Sequence, residues 1–455
     1  MKLYSITISL SLMLFAVAAF GQEQSQYEFT LQECLDYALE NNQSVIIANL
    51  EKQAAKAETQ EFISAGYPQV EGNATVNRNL ILRRSFLPAD QFNPGAPEDS
   101  LIELAFGRPY DGDIGISLKQ MIFNGSYFVG VKAAKTYQEL SAKDHIKSKV
   151  DVTEAVTKAY YSVLVNEMLY ESVVSNFQRL DSLLRETEIM FKNGFAELLE
   201  YNRLKVEYNN INTSKSNSKR AVEISMSLLK YQMGMSVDAN LSIVEKFEDM
   251  RFDIESDLQQ NYSFQRRIEY SILQTNQELA EIEMKNNKAQ YLPNLDISFA
   301  WGLNAGASNF SDLGKLGDRT IWPDYQLTGL SLHVPLFNGG YKARIIQQNK
   351  IKIQQLDYQR EMLENSIKME VDQFRKTLMN NMDQLRAQEE NMNLAASVYN
   401  QSKIKYQEGV GSNLEIIDAD NSFKQAQSNY FNALYDALIS HVDYQKALGI
   451  LKIDD

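Results

Sequence analysis

The sequence predicts a mixed α+β fold in which one plan is laid down twice, each copy joining a pair of β-strands to a very long helical hairpin. Three observations predict it. Short motifs recur at a near-constant offset, two long stretches carry no helix breaker but Gly130, and four short segments alternate between apolar and polar residues.

The repeat fixes the order of the elements. Ile122-Phe123-Asn124-Gly125 returns as Leu336-Phe337-Asn338-Gly339, 214 residues on, and Phe191-Lys192-Asn193-Gly194 returns as Tyr406-Gln407-Glu408-Gly409, 215 residues on. Gly234 after Leu228-Leu229 is answered by Gly449 after Ala447-Leu448, and Tyr67-Pro68-Gln69-Val70 by Tyr291-Leu292-Pro293-Asn294-Leu295. Self-similarity at a fixed period is the first thing to read for architecture. The first repeat spans 22–250, with strands at about 69–80 and 112–123, a long helix at about 126–192 and a helix at about 197–233. The second spans 251–455, with a helix at about 265–290, strands at about 294–304 and 325–337, a long helix at about 341–407 and a helix at about 413–448.

Each long helix would run about 100 Å at 1.5 Å per residue. Helices of that length belong to coiled coils, and heptads are present. Val156, Val163, Tyr170, Phe177, Leu184 and Phe191 fall seven apart, as do Val371, Leu378, Leu385, Met392, Tyr399 and Tyr406. A strict seven-residue stripe packs along one seam against a neighbouring helix.

The strands alternate with period two. Leu295, Ile297, Phe299, Trp301 and Leu303 interleave with Asp296, Ser298, Ala300, Gly302 and Asn304, and the pattern repeats around Val70–Asn77, Ile114–Leu118 and Leu330–Val334. At roughly 10 residues each is long enough to cross a bilayer as a tilted strand. Trp301, Trp322, Tyr291 and Tyr325 are expected towards strand ends, where interfacial aromatics sit. Four strands cannot close a barrel, and an open edge in lipid leaves backbone groups unpaired. If the strands span a membrane, more than one copy is required. The long connections Arg83–Tyr110 and Asn304–Asp324 are expected as extracellular loops.

The N-terminus supports export. Lys2, the apolar run Ile6–Phe20 and the small residues Ala19 and Gly21 before Gln22 read as a signal peptide over 1–21. No cysteine stands at the cleavage point, so no lipid anchor is expected, and the single cysteine, Cys34, excludes an intrachain disulfide. Beyond the signal no run of 18 apolar residues occurs, so any membrane crossing must be by strands. With 59 acidic against 45 basic residues, a net charge of −14, the chain is poorly suited to nucleic acid.

Nothing points to an enzyme, a cofactor or a metal site. His145, His333 and His441 are scattered, and the sequence holds no HExxH, no zinc-type Cys/His spacing, no GxSxG and no phosphate loop.

Signal peptide, tandem halves, paired strands and glycine-turned long helices together resemble the TolC outer-membrane factor family over essentially the whole mature chain. Thr30-Leu31-Gln32-Glu33 is a capping box that looks like the opening of the family's first helix. The run from Tyr406 through Gly409, Gly411, Ser412 and Glu415 to Asp418-Ala419 looks like its second periplasmic hairpin. The resemblance implies a homotrimer with a 12-stranded barrel in outer-membrane lipid above a 12-helix periplasmic barrel. It also implies an entrance closed at rest at the hairpin tips, and a periplasmic adaptor and inner-membrane pump as partners. The chain would be the passive exit duct of a tripartite efflux or type I secretion system. The alternative is a periplasmic or surface coiled-coil protein without channel activity, which has no need of four symmetrically placed strands.

The resemblance also assigns roles. Glu415 and Asp418, three apart on one helix face, would form an acidic ring at the entrance. Ser412 and Glu415 also read as a capping box, a local role for that acid. Tyr406 and Glu200 would belong to the constriction, and Gly194 and Gly409 would turn the two adaptor-docking tips. Where many members carry a basic residue two places after the turn glycine this chain has Gly411, so a tip salt bridge to Glu200 cannot form.

Overall fold

In the computed structural model, which describes residues 26–89, 99–245, 254–314 and 322–451 with positions 95, 97 and 247, the expected signal peptide lies outside the described residues. The first half runs β1 (Gln26–Phe29), α1 (Leu31–Asn41), α2 (Gln43–Ser64), β2 (Gln69–Arg78), β3 (Arg84–Pro88), β4 (Leu101–Ala105), β5 (Tyr110–Asn124), α3 (Gly125–Lys192), α4 (Leu198–Met233) and β6 (Asn240–Ile243). The second runs α5 (Ile254–Gln259), α6 (Ile268–Ala289), β7 (Asn294–Ala307), α7 (Phe310–Leu313), β8 (Asp324–His333), α8 (Tyr341–Gln407) and α9 (Asn413–Leu448).

Several expectations are corrected. The loop after Arg83 contains the hairpin β3–β4, and the two ends of the first half are tied by the parallel pair β1–β6, four residues per strand and too short to show alternation. Strand β8 stops at His333 instead of reaching 337, just ahead of Pro335, which has no N–H to donate to a ladder. The helix expected from 265 begins at Ile268, because Arg267 is extended (φ −83°, ψ 121°) after a single 3₁₀ turn. Strand β7 continues past 304 to Ala307, since Ala305, Gly306 and Ala307 pair with Gly112, Asp111 and Tyr110.

The chain divides into two compact units that cut across both repeats. One comprises residues up to 52, 140–274 and 358–455, and the other 53–139 and 275–357.

The second unit holds an antiparallel sheet in the order β2-β5-β7-β8, so β5 and β7 join the two halves. Register assigns each face. Val70, Val76, Ile114, Ile116, Phe299, Trp301, Leu330 and Leu332 share one face and are all exposed. The other carries Glu71, Asn73, Asn77, Asp111, Asp113, Ser117, Ser298 and Asn304. Both edge strands, β2 and β8, keep an unpaired side among the described residues.

Two interfacial aromatics need correction here. Trp301 lies in the middle of β7, not near its end, because the strand runs on to Ala307. Tyr325 lies on the polar face, opposite Trp301: its hydroxyl donates to Asp113 Oδ2 at 3.0 Å, and its ring crosses Gly302. Trp322 does stand just ahead of β8, packed with Tyr110, Ala305, Ala307 and Leu313 and donating Nε1 to Leu313 O at 3.3 Å. Tyr291 stands ahead of β7, with Lys342 Nζ 5.1 Å from its ring centroid.

The first unit is helical. Its main core gathers Cys34 and Ala38 of α1, Val156, Tyr160 and Val163 of α3, Leu229 and Met233 of α4, Leu241 of β6, and Leu434, Leu438 and Val442 of α9. The α8 heptads enter two further cores: Val371 and Leu378 against Tyr444 and Leu448, and Tyr399 among α3, α4 and α9 residues. Each fully buried side chain of this size stabilises by about 1.5–3 kcal/mol. Between α3 and α9, Lys158 contacts Glu154 (2.6 Å) and Asp443, and Lys446 contacts Asp151 (3.0 Å) and Glu154 (2.6 Å).

Candidate functional site

The residues expected to act lie at the turns of the helical hairpins α3–α4 and α8–α9, within the helical unit. Helix α3 ends at Lys192, where Gly194 adopts φ +82° and the Phe195 N–H donates to Met190 O at 2.8 Å. Helix α8 ends at Gln407, where Gly409 adopts φ +75° and the Val410 and Gly411 N–H groups both donate to Lys405 O at 3.0 Å. An L-residue pays steric strain at positive φ, so glycine is the natural choice at both turns. The turns present apolar side chains to solvent, with Phe195 78% and Val410 79% exposed.

Gly411 has a structural reason of its own. A Cβ there would lie 3.0 Å from both Lys405 Cβ and the Tyr406 nitrogen, so this position is pressed against the last turn of α8. Glu200, the acid such a basic residue would meet, instead accepts a hydrogen bond from the Glu197 N–H at 3.3 Å, closing the first turn of α4.

The acid pair faces outward. Along the start of α9, Asn413, Ile416, Ala419 and Asp420 are buried, while Glu415 and Asp418 are exposed. The Ser412 hydroxyl accepts from the Glu415 N–H at 3.2 Å. Only this half of the expected capping box forms, so the Glu415 carboxylate is left facing solvent.

Tyr406 packs with Leu180, Leu184, Leu204, Tyr399 and Ile416 in the core behind the turns, and its buried hydroxyl has no hydrogen-bonding partner among the described residues. The structure thus brings Tyr406 into this core but leaves Glu200 on its own helix. It also places there a group that the heptad reading missed: Arg179, against the rings of Tyr399 and Phe423 and beside Asp420. A charged residue two places after Phe177 in a coiled-coil stripe was the available signal.

Comparison with known proteins fits this architecture. The chain is 22% identical over 445 residues to the outer membrane protein TolC of Vibrio cholerae, covering 97% of this chain and 96% of that one. It is equally 22% identical to TtgC of Pseudomonas putida, a probable efflux pump outer membrane protein, covering 95% and 86%. Residues 268–450 match the family described as outer membrane efflux protein. The chain is thus similar to TolC-type outer membrane proteins along nearly its whole length.

The fold of the chain is also that of the Campylobacter jejuni CmeC outer membrane channel, with a TM-score of 0.71 at 16% identity over 95% of this chain and 90% of that one. Among the described residues no helix is long and apolar enough to cross a membrane, and no group of His, Cys, Asp and Glu is placed to hold a metal.

Proposed function

We propose that this chain is the outer-membrane channel of a tripartite efflux or type I secretion system, a passive conduit gated at its periplasmic helix tips. The observation that carries the reading is the four-stranded sheet: one face is apolar and exposed, the other is polar, and both edges are open. An exposed apolar face of this extent marks an interaction surface, and lipid suits a tilted ten-residue strand. Open edges in lipid must be paired. Three copies would supply 12 strands and, from α3, α4, α8 and α9, 12 long helices. The apolar residues left exposed on α8, such as Tyr358, Met362, Met369, Leu394 and Val398, offer a second seam for neighbouring copies.

In that assembly the polar sheet face lines the lumen. Glu415 and Asp418 from three copies would gather six carboxylates at the periplasmic entrance, favouring cations over anions. The exposed apolar tips around Gly194 and Gly409 would receive a periplasmic adaptor, which couples the duct to an inner-membrane pump. Fractionation tests the reading: a detergent-stable oligomer in the outer membrane is expected, and a soluble periplasmic monomer would overturn it.

A further inference from the structure

We propose that the helical unit carries a binding site for a peptide carboxylate, in the cavity where the start of α6 and the end of α9 meet α3. All of its lining residues belong to that unit. The cavity measures about 220 Å³. At about 30 Å³ per water that is room for about seven waters, or for one amino-acid residue. Val150, on the α3 wall, stands about 60 Å along the helix from the turn at Gly194, so the site is separate from the hairpin tips. That the peptide is a periplasmic one rests on the channel reading above; the cavity itself does not.

The walls are fixed by contacts between four helices. Arg267, whose side chain is 9% exposed, donates Nε to Glu269 Oε2 at 3.0 Å, and Nη1 to Glu370 Oε2 at 2.8 Å and to the Ala447 carbonyl at 3.1 Å. One guanidinium thus fastens the start of α6 to α8 and α9. Helix α9 closes at Gly449, φ +68°, where a Cβ would lie 2.7 Å from the Arg266 carbonyl oxygen. Only glycine lets the two backbones approach so closely. Lys446, in the last turn of α9, is held by Asp151 at 3.0 Å and Glu154 at 2.6 Å on α3. The opening between these helices is therefore formed before any ligand arrives.

The chemistry of the lining selects the ligand. In a chain of net charge −14, the cavity presents three cations, Arg266, Arg267 and Lys446, and one acid, Glu269. Arg267 and Lys446 already meet two carboxylates each. Arg266 does not. Among the described residues its guanidinium reaches only Gln260 Oε1, at 3.5 Å, and forms no ion pair. A free guanidinium takes a carboxylate or a phosphate through paired hydrogen bonds. Two features favour the carboxylate. Ile146, Val150 and Ile268 line the cavity beside the cation, so the ligand carries an apolar stem of side-chain size. Glu269 on the same lining would repel a phosphate dianion, whereas it can accept the N–H of a peptide. The C-terminal residue of a peptide supplies all three parts: a carboxylate for Arg266, a side chain for the apolar wall and an N–H for Glu269.

Saturation-transfer NMR titrations of the purified oligomer in detergent test this, with N-acetyl-glycyl-leucine as the probe, its C-terminal amide as the control and inorganic phosphate as the competitor. The acid is expected to bind about ten-fold more tightly than the amide, the worth of one charge-assisted hydrogen-bonded pair. R266Q, an exposed change that leaves the Arg267 contacts intact, should lose about ten-fold of that affinity. R266K should keep more of it than R266Q. I146W fills the mouth without touching a charge and is the independent probe; it should weaken binding of acid and amide alike. Equal binding of acid and amide, or wild-type binding by R266Q and I146W, would overturn the site. Phosphate that displaces the dipeptide at equal concentration would overturn the peptide assignment. A pore-forming oligomer that leaves the dipeptide unbound overturns this site alone, and one that binds it yet forms no pore overturns the channel reading alone.

Discussion

The hydroxyl of Tyr325 on β8 reaches across Gly302 of β7 to Asp113 Oδ2 on β5, 3.0 Å away, while Asn73 of β2 donates to the other oxygen of the same carboxylate at 2.8 Å. One side chain on β5 thus holds β2 on one side and, across β7, β8 on the other, all on the polar face. Gly302 makes this possible: a Cβ there would lie 2.7 Å from the Tyr325 hydroxyl and 2.8 Å from the Ile114 carbonyl oxygen. We expect Y325F to destabilise the assembled protein by about 1 kcal/mol, the net worth of one hydrogen bond. G302V should destabilise it more, because the ring must leave and a backbone oxygen must move. Thermal melts of the detergent-purified oligomer check the order of the two variants.

That crossbar also shows where sequence reading stops. Alternation placed Trp301 and the row of leucines, isoleucines and valines on one face, and heptads and glycines located the helices and their turns, because these patterns are local and periodic. Tyr325 stands near a strand end, as an interfacial aromatic would, yet its face is set by register with β7, which pairs Tyr325 with Gly302. The same limit applies to Arg179. Its partners on α8 and α9 are more than 200 residues away in the chain, and no spacing rule connects them. The short pair β1–β6 escaped for want of length, and Gly411 read as a missing charge where the structure shows close backbone contact.

Two kinds of glycine with positive φ should respond differently to alanine. Gly194 has open space around its missing Cβ, so G194A meets only the left-handed backbone penalty of about 1–2 kcal/mol. Gly234, the C-cap of α4 at φ +72°, would place a Cβ 2.5 Å from the Asn41 carbonyl oxygen and 2.8 Å from Asn42 Cα. Backbone atoms cannot swing aside, so G234A should destabilise by a further 1–3 kcal/mol or so. Denaturation midpoints compared at equal oligomer yield measure the difference, and equal midpoints would contradict the packing at Asn41.

The α3–α9 charge cluster should make stability fall on acidification. Burial alone pushes Asp151 and Glu154 upward, but hydrogen bonds and charge from Lys446 and, respectively, Lys147 and Lys158 outweigh it and hold both carboxyls below their usual range. For a depressed acid the stabilisation is present above the unfolded pKa of about 4 and is lost as pH falls through the lower folded value. Lys158 and Lys446 are held above the usual lysine range by their carboxylate partners, despite burial acting the other way. Their contribution is therefore present below about pH 10 and is lost as pH rises through the raised values. Melting temperatures from pH 3 to 7 should drop at the acid end for the wild type and flatten for K446M, which removes the partner shared by Asp151 and Glu154. Parallel curves for the two proteins would show that the cluster contributes nothing.

The acid pair at the start of α9 gives the sharpest test of the entrance. Glu415 and Asp418 are exposed, three residues apart, and neither carboxylate is tied to a cation in its own chain among the described residues. Their charge is thus free to act on ions in solution, and three copies around a narrow opening would concentrate it in a region of low dielectric. Replacing both by E415Q and D418N keeps size and hydrogen bonding while removing up to six charges per assembly. Reversal potentials under a potassium chloride gradient should show cation preference in the wild type and most of it lost in the double variant. Of the singles, E415Q alone should also weaken the favourable charge at the N-terminus of α9, by about 0.3–1 kcal/mol. D418N, one turn further in, should change selectivity with little effect on stability. Unchanged selectivity in the double variant would place the charge filter elsewhere, and Asp111 and Asp113 on the polar sheet face would be the next carboxylates to replace.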